Sequence, residues 1–236
     1  MHVPDGFLDI STSVATGAVA AAGVGLALHR ARRELDDRAV PLPGLVATFV
    51  FAAQMLNFPV GAGTSGHLLG GALAAVLVGP ATAVLCLSVV LLVQCLLFAD
   101  GGVTAIGTNI TLMGMVAVVG ASVVFWVLQS LLPKREGLVA PIAAVAAYAS
   151  VLLTSVVFVA LYAVGGTAPV PLDTLTTAML GWHALIGIGE AVITGLVVAS
   201  IVAVRPDLVH GARRVLKSRP VEIRTPGAPP AQEVAA

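Results

Sequence analysis

Apolar residues in this chain fall in long, nearly unbroken runs and not in the period-two alternation of a half-buried strand. The runs cover residues 10–28, 42–60, 66–78, 80–98, 103–132, 138–164 and 181–204. A helix needs about 20 apolar residues to cross a bilayer, so the pattern predicts a bundle of seven transmembrane helices, and it lacks the ~10-residue alternation of barrel strands. The third run is short, which predicts a helix whose ends sit inside the protein and not against lipid. Gly79-Pro80 separates it from the fourth. A Pro/Gly-rich stretch between 165 and 180 reads as a loop, and the proline-rich end from Arg205 reads as surface-lying and then disordered. The expected organisation is one transmembrane domain over 1–210 and a cytoplasmic tail over 211–236.

Composition agrees. Mean hydropathy is +1.02, with 58% hydrophobic and 10% charged residues, whereas a soluble domain carries about 25% charged residues. The first run is followed, not preceded, by basic residues, the reverse of a secretory leader, and so predicts a retained helix. All twelve Lys and Arg lie in three places: four within 30–38, two at 134 and 135, and six from 205 to 224. With seven spans these share one face, which the positive-inside rule makes cytoplasmic. The chain is therefore expected to be multi-pass in a prokaryotic inner or plasma membrane, with Met1 outside, beside Asp5, Asp9, Asp100 and Asp173, on the face that attracts cations. No nucleic-acid partner is expected. Cys86 and Cys95 stand nine apart on one helix, on opposite faces, so no disulfide is expected.

The candidate chemistry gathers at that outer face. An α-amine, the next amide nitrogen and the ring of His2 can close fused five- and six-membered chelate rings on one metal ion. Val3 precedes proline and is held extended, and Pro4-Asp5-Gly6 is a turn sequence, so the terminus has reason to fold back. His67 opens the third run and His183 the seventh; Asp100 ends the fourth and Asn109 lies two turns into the fifth. His183, Gly187 and Glu190 share one helix face, and a carboxylate about 12 Å deep is a functional candidate. Each has a plainer reading: His183 as part of an aromatic belt with Trp182, Asn109, Gln54, Asn57 and Gln94 as interhelical hydrogen bonds, Glu190 as a buttress, Met113 and Met115 as packing. His29 and His210 read as surface residues.

Met1-His2-Val3-Pro4-Asp5-Gly6-Phe7-Leu8, the Gly-rich run from Val60 through Gly66-His67-Leu68 to Gly71, Leu97-Phe98-Ala99-Asp100-Gly101-Gly102, Thr108-Asn109, and His183 through Gly189-Glu190-Ala191 resemble the CbiM/NikM substrate-binding membrane components of cobalt and nickel energy-coupling-factor transporters. The resemblance spans about residues 1–210. It implies seven helices with an outside N-terminus and a near-planar set of four nitrogens: the Met1 amine, the His2 amide and ring, and the His67 ring. Such a set suits Ni(II), Cu(II) or cobalt, whereas magnesium and calcium want oxygen and zinc a tetrahedron. Asp5, Thr64, Ser65 and Asn109 are the expected orienting partners, with His183 and Glu190 further candidates. Pro4-Asp5 with no leader leans toward the nickel-like form of the motif, and the metal stays open between nickel and cobalt. Affinity should rise steeply with pH.

Neither lysine, Lys134 nor Lys217, lies in a Gly-rich phosphate loop, so the chain is not expected to be an enzyme that hydrolyses ATP. The resemblance implies separate partners: a transmembrane coupling subunit, two cytoplasmic ATP-binding subunits and a small accessory membrane protein. Two rival readings remain. Gly63-Thr64-Ser65-Gly66 fits the Gly-x-Ser-Gly pattern of rhomboid proteases with His183 as base, and a passive divalent-cation channel would show flux through this chain alone.

Overall fold

The computed structural model describes residues 1–34, 41–61 and 64–216. Among the described residues, five helices are long and apolar enough to cross a membrane. These are α1 (Ile10–Ala31), α4 (Pro80–Phe98), α5 (Ile106–Leu131), α6 (Val139–Gly165) and α7 (Leu172–Val204). Two shorter helices stand at the second and third apolar runs: α2 (Leu42–Gln54) and α3 (Gly71–Val78). At 1.5 Å per residue they span only about 20 and about 12 Å.

The second run stops being helical early because Pro59 drives Phe58 out of the helical region. The chain turns instead into a hairpin, β1 (Phe58–Gly61) paired antiparallel with β2 (Thr64–Gly66), with Phe58 opposite Gly66 and Pro59 opposite Ser65. Ala62 and Gly63 at its tip lie outside the described residues. All eight residues of α3 are buried, as its brevity predicts.

The seventh helix begins earlier than its hydropathy suggests. Residues 172–180, expected in a loop, continue α7, because Leu175 and Met179 bury the same face as His183, Ile186 and Glu190. The hydroxyls of Thr176 and Thr177 donate back to the carbonyls of Leu172 and Asp173, at 2.6 and 2.9 Å, and so do not interrupt it. α6 and α7 form the most extensive helix pair.

Two glutamates close helix starts that are not their own. Glu34, just past α1, accepts the amides of Ala81 and Thr82 at 3.0 and 2.7 Å at the start of α4. Glu190 of α7 accepts the amides of Leu69 and Gly70 at 2.5 and 2.7 Å just before α3. Unpaired N–H groups at a helix start carry partial positive charge, which a carboxylate neutralises. Gly70 and Gly79, which precede these helices, have φ of 75° and 94°, values that glycine reaches without strain.

At the end of the bundle away from Met1, the first part of the expected tail is packed. Gly211, Ala212 and Val215 are buried, Gln129 donates to the Gly211 carbonyl at 2.8 Å, and Arg213 donates to the Glu34 carbonyl at 2.7 Å. Arg214 stacks on Trp126. His210 is not the plain surface residue expected, because its Nδ1 is buried at this junction. The disordered tail expected beyond residue 216 lies outside the described residues. Cys86 and Cys95 are free thiols, as their spacing requires.

Candidate metal site

The first nine residues fold back into the mouth of the bundle. Asn109, near the start of α5, brackets Val3: its Oδ1 accepts the Val3 amide at 2.7 Å and its Nδ2 donates to the Val3 carbonyl at 3.1 Å. Gly102 N–H reaches the same carbonyl at 2.9 Å. Phe7 packs between Phe158 and Tyr162 at the end of α6, with ring centroids 5.7 and 5.0 Å away. Asp9 donates its amide to Gly165 at 2.7 Å, and its side chain caps α1 through the Thr12 amide. The terminus is thereby tied to α1, α5 and α6 at one end of the bundle, and Met1 is 0% exposed.

Inside this plug the Met1 amine lies 2.7 Å from Nε2 of His67, and the His2 and His67 ring centroids are 4.6 Å apart. Nδ1–H of His67 donates to the Leu68 carbonyl at 2.8 Å, which leaves Nε2 as a lone pair facing the amine. Two nitrogens each about 2.0 Å from one ion at a right angle would be about 2.8 Å apart. Burial pushes the amine down from 8.0 to about 4, against the pull of Asp100. Burial, then the charge of the neighbouring amine, holds His67 well below its usual value, and His2 is lowered mainly by burial.

His2 is held from two sides. Its Nδ1 lies 3.1 Å from Asp100 and 3.5 Å from Ser65, and its Nε2 lies 3.2 Å from the Gln94 side-chain amide. Gln94 Oε1 accepts Nε2–H of His2, and a proton on Nδ1 would be donated to Asp100; the ring that has lost that proton presents Nδ1 as a lone pair. For Asp100, burial raises the carboxyl, but the hydrogen bond and charge of His2 and the nearby amine bring it below the usual carboxylate range. Asn57 donates to its other oxygen at 3.1 Å.

The expected orienting residues divide. Ser65 touches the His2 ring. Asn109 holds backbone and not a ring, and Thr64 donates to the Met179 sulfur at 4.0 Å. Asp5 sits at the rim, accepting the amide and hydroxyl of Thr104 at 2.7 and 2.5 Å, away from both rings. His183 is fully buried, with Nδ1 donating to the Met179 carbonyl at 2.7 Å and Nε2 unpartnered among the described residues. Glu190 reaches the backbone after His67 and not the ring. Gln94 and Asp100, the nearer partners of the His2 ring nitrogens, were readable only as a helix-packing amide and an end cap. The signal that could have joined them is their six-residue spacing across the end of α4, below the Leu97-Phe98-Ala99-Asp100 motif. Among the described residues no three His, Cys, Asp or Glu side chains gather as a metal-binding group.

Residues 2–208 match the family model CbiM, the cobalt uptake substrate-specific transmembrane region. The chain belongs to the CbiM family. It is 40% identical over 209 residues to a protein of Haloquadratum walsbyi named for metal transport, covering 89% of this chain and 93% of that one. It is 37% identical over 210 residues to a protein of Archaeoglobus fulgidus named as a fused nickel transport protein, NikMN, covering 89% of this chain and 68% of the longer relative. A crystal structure of a transition metal transporter superposes with a TM-score of 0.76 at 30% identity, over 86% of this chain and 93% of that one. The CbiM-family chain is thus a multi-pass membrane component of cobalt and nickel transport and not an enzyme. The protease pairing of Ser65 with His183 finds no support in the geometry, since Ser65 faces His2 and His183 bonds within its own helix.

Proposed function

We propose that this chain is the capture component of an ATP-driven uptake system for Ni(II) or Co(II), and that it grips the ion with the Met1 amine, the amide and ring of His2, and the His67 ring. The carrying observation is the buried amine 2.7 Å from a bare imidazole nitrogen, two neutral donors at the separation that neighbouring ligands of one ion need. For His2 to close a six-membered ring with its own amide, Nδ1 exchanges Asp100 and Ser65 for the ion by rotating about its side-chain bonds. Asp100 and Asp5 border the cavity outside this point, so the approaching cation meets negative charge before nitrogen.

The bundle supports a seven-helix arrangement in which α2 and α3 together with the hairpin complete the count. The described arginines lie at the end opposite Met1, which supports a cytoplasmic C-terminal end and a site facing outside. The energy source is proposed to be external: a transmembrane coupling subunit and two cytoplasmic ATP-binding subunits, with a small accessory membrane protein, whose motion tips the bundle and opens the site inward. Isothermal titration of the purified chain with Ni(II) and with Co(II) tests the ligand set. Adding one residue before Met1 converts the amine to an amide, and His67→Ala removes a ring; each should weaken capture more than about 100-fold. Normal binding by both variants would overturn the assignment. A passive channel instead predicts ion flux in liposomes holding this chain alone.

A further inference from the structure

The loop that presents His67 is clamped immediately behind the ring, from two helices. Glu190 of α7 takes the amides of Leu69 and Gly70, one on each carboxylate oxygen, and Gln54 at the end of α2 donates to the Leu69 carbonyl at 2.7 Å. Glu190, Gln54 and Leu69 are each no more than 2% exposed. Consecutive N–H groups converging on one buried carboxylate make a strong, directional pair of charge-assisted bonds. Apart from the Met1 amine facing Nε2, the His67 ring is fixed among the described residues by its Nδ1–H bond to Leu68, and that carbonyl belongs to the clamped loop.

We propose that Glu190 is the positioning residue for His67, so that a displacement of α7 loosens the grip on the ion by freeing the loop behind its ring. This rests on the ligand assignment above. A glutamine at 190 keeps the shape but sets an NH2 against one of the two amide N–H groups, so one bond is lost and one donor is left unpaired in an apolar setting. Glu34, which clamps the start of α4 with the same chemistry at the other end of the bundle, separates a general loss of stability from an effect on the site.

The test is a double-mutant cycle on the full-length chain in detergent, reading Ni(II) affinity by titration and the visible ligand-field band of bound Ni(II), with Glu34→Gln as control. Glu190→Gln should weaken Ni(II) binding about 10- to 100-fold and shift the band, as expected for loss of an outer partner that orients a ligand. In a His67→Ala background the same change should cost little more, because both act through one ring. Glu34→Gln should lower the melting temperature with affinity and band unchanged. Equal losses from Glu190→Gln in both backgrounds, or a melting shift with no change in affinity, would overturn the proposal while leaving the ligand set standing. Normal affinity in His67→Ala alone would remove the ligand set, and this inference with it. If Glu190→Gln does not fold, Gln54→Leu loosens the other side of the same loop and should show the same non-additivity with His67→Ala; additivity there would be equally decisive against it.

Discussion

Burial of the Met1 amine makes a quantitative statement about pH. An exposed terminal amine near 8.0 would be protonated through most of the range in which a cell works, and capture of an ion would expel that proton as well as the one on the His2 amide. Affinity would then rise about 100-fold per pH unit. Here burial holds the amine at about 4, and the His2 and His67 rings are both lowered below 6.5, chiefly by burial. Above pH 6.5 the amine is neutral and both rings are mainly so, leaving chiefly one proton, from the amide, to be released per ion. Affinity should rise about tenfold between pH 6.5 and 7.5, against about 100-fold for the exposed case. Competition titrations against a chelator of known pH dependence read this slope directly. A slope near two protons would mean that the amine is exposed before capture, and a flat profile would remove the amide from the ligand set.

The same group sets a stability trend that needs no metal. Its folded value lies below its unfolded one, so its contribution is complete above about pH 8 and is lost as pH falls toward 4, where the folded form also takes a proton. Each unit in that window costs about 1.4 kcal/mol. Between pH 8 and 6 this sums to roughly 2–3 kcal/mol, a fall in melting temperature of roughly 5–10 °C for a chain of this size. Melting curves of chelator-treated protein should show the fall, and adding one residue before Met1 should abolish it. A trend that survives the extension belongs to another group.

Three substitutions probe the surroundings. Asn109→Ala removes both bonds that bracket Val3 and should cost about 1–3 kcal/mol of stability, together with a measurable weakening of Ni(II) binding by titration. Asp100→Asn keeps the shape beside His2 but removes the charge, so it should weaken binding about 10-fold and slow association at low salt, as stopped-flow would show. Gly70→Ala places a side chain at φ 75° against Val50 and should lower the melting temperature and loosen the His67 loop, so that affinity drops as well.

Much of the architecture was legible because lipid imposes a simple rule: backbone in hydrocarbon must be helical, and long apolar runs declare it. Helices α1, α4, α5 and α6 follow their runs to within a few residues. The rule fails where protein, not lipid, surrounds the chain. Residues 55–60 and 66–70, read as the end of the second span and the start of the third, are not helical: Pro59 holds Phe58 extended in the hairpin, and Glu190 of α7 takes the amides of Leu69 and Gly70. Residues 172–180 are polar enough to read as a loop but are helical, because Leu175 and Met179 cover the N-terminal plug. At the site, sequence could place Met1, His2 and His67 at one face, since chelate geometry and motif are local. It could not place Gln94 and Asp100 on the His2 ring, or Glu190 on the backbone behind His67, because those contacts join residues 92, 98 and 121 positions apart in the chain.

Under the proposed ligand set, the choice of ion follows from how the plug is built. The carboxylate nearest the nitrogen donors is Asp100, and both its oxygens already have partners, His2 on one and Asn57 on the other. A hard cation such as Mg(II) wants six oxygens and keeps its water, and it would find one engaged carboxylate at the rim and only nitrogen beyond it. Neutral amine, amide and imidazole nitrogens reward an ion that binds nitrogen strongly and can remove an amide proton, which places Ni(II) and Cu(II) ahead of the earlier divalent metals. Fused five- and six-membered rings at the terminus favour a planar set, and α5 and α6 hold that terminus through Asn109 and Phe7. A tetrahedral ion such as Zn(II) would have to bend the proposed claw out of plane against those anchors, so with these ligands discrimination would reside in the packing of Val3 and Phe7 as much as in the donors.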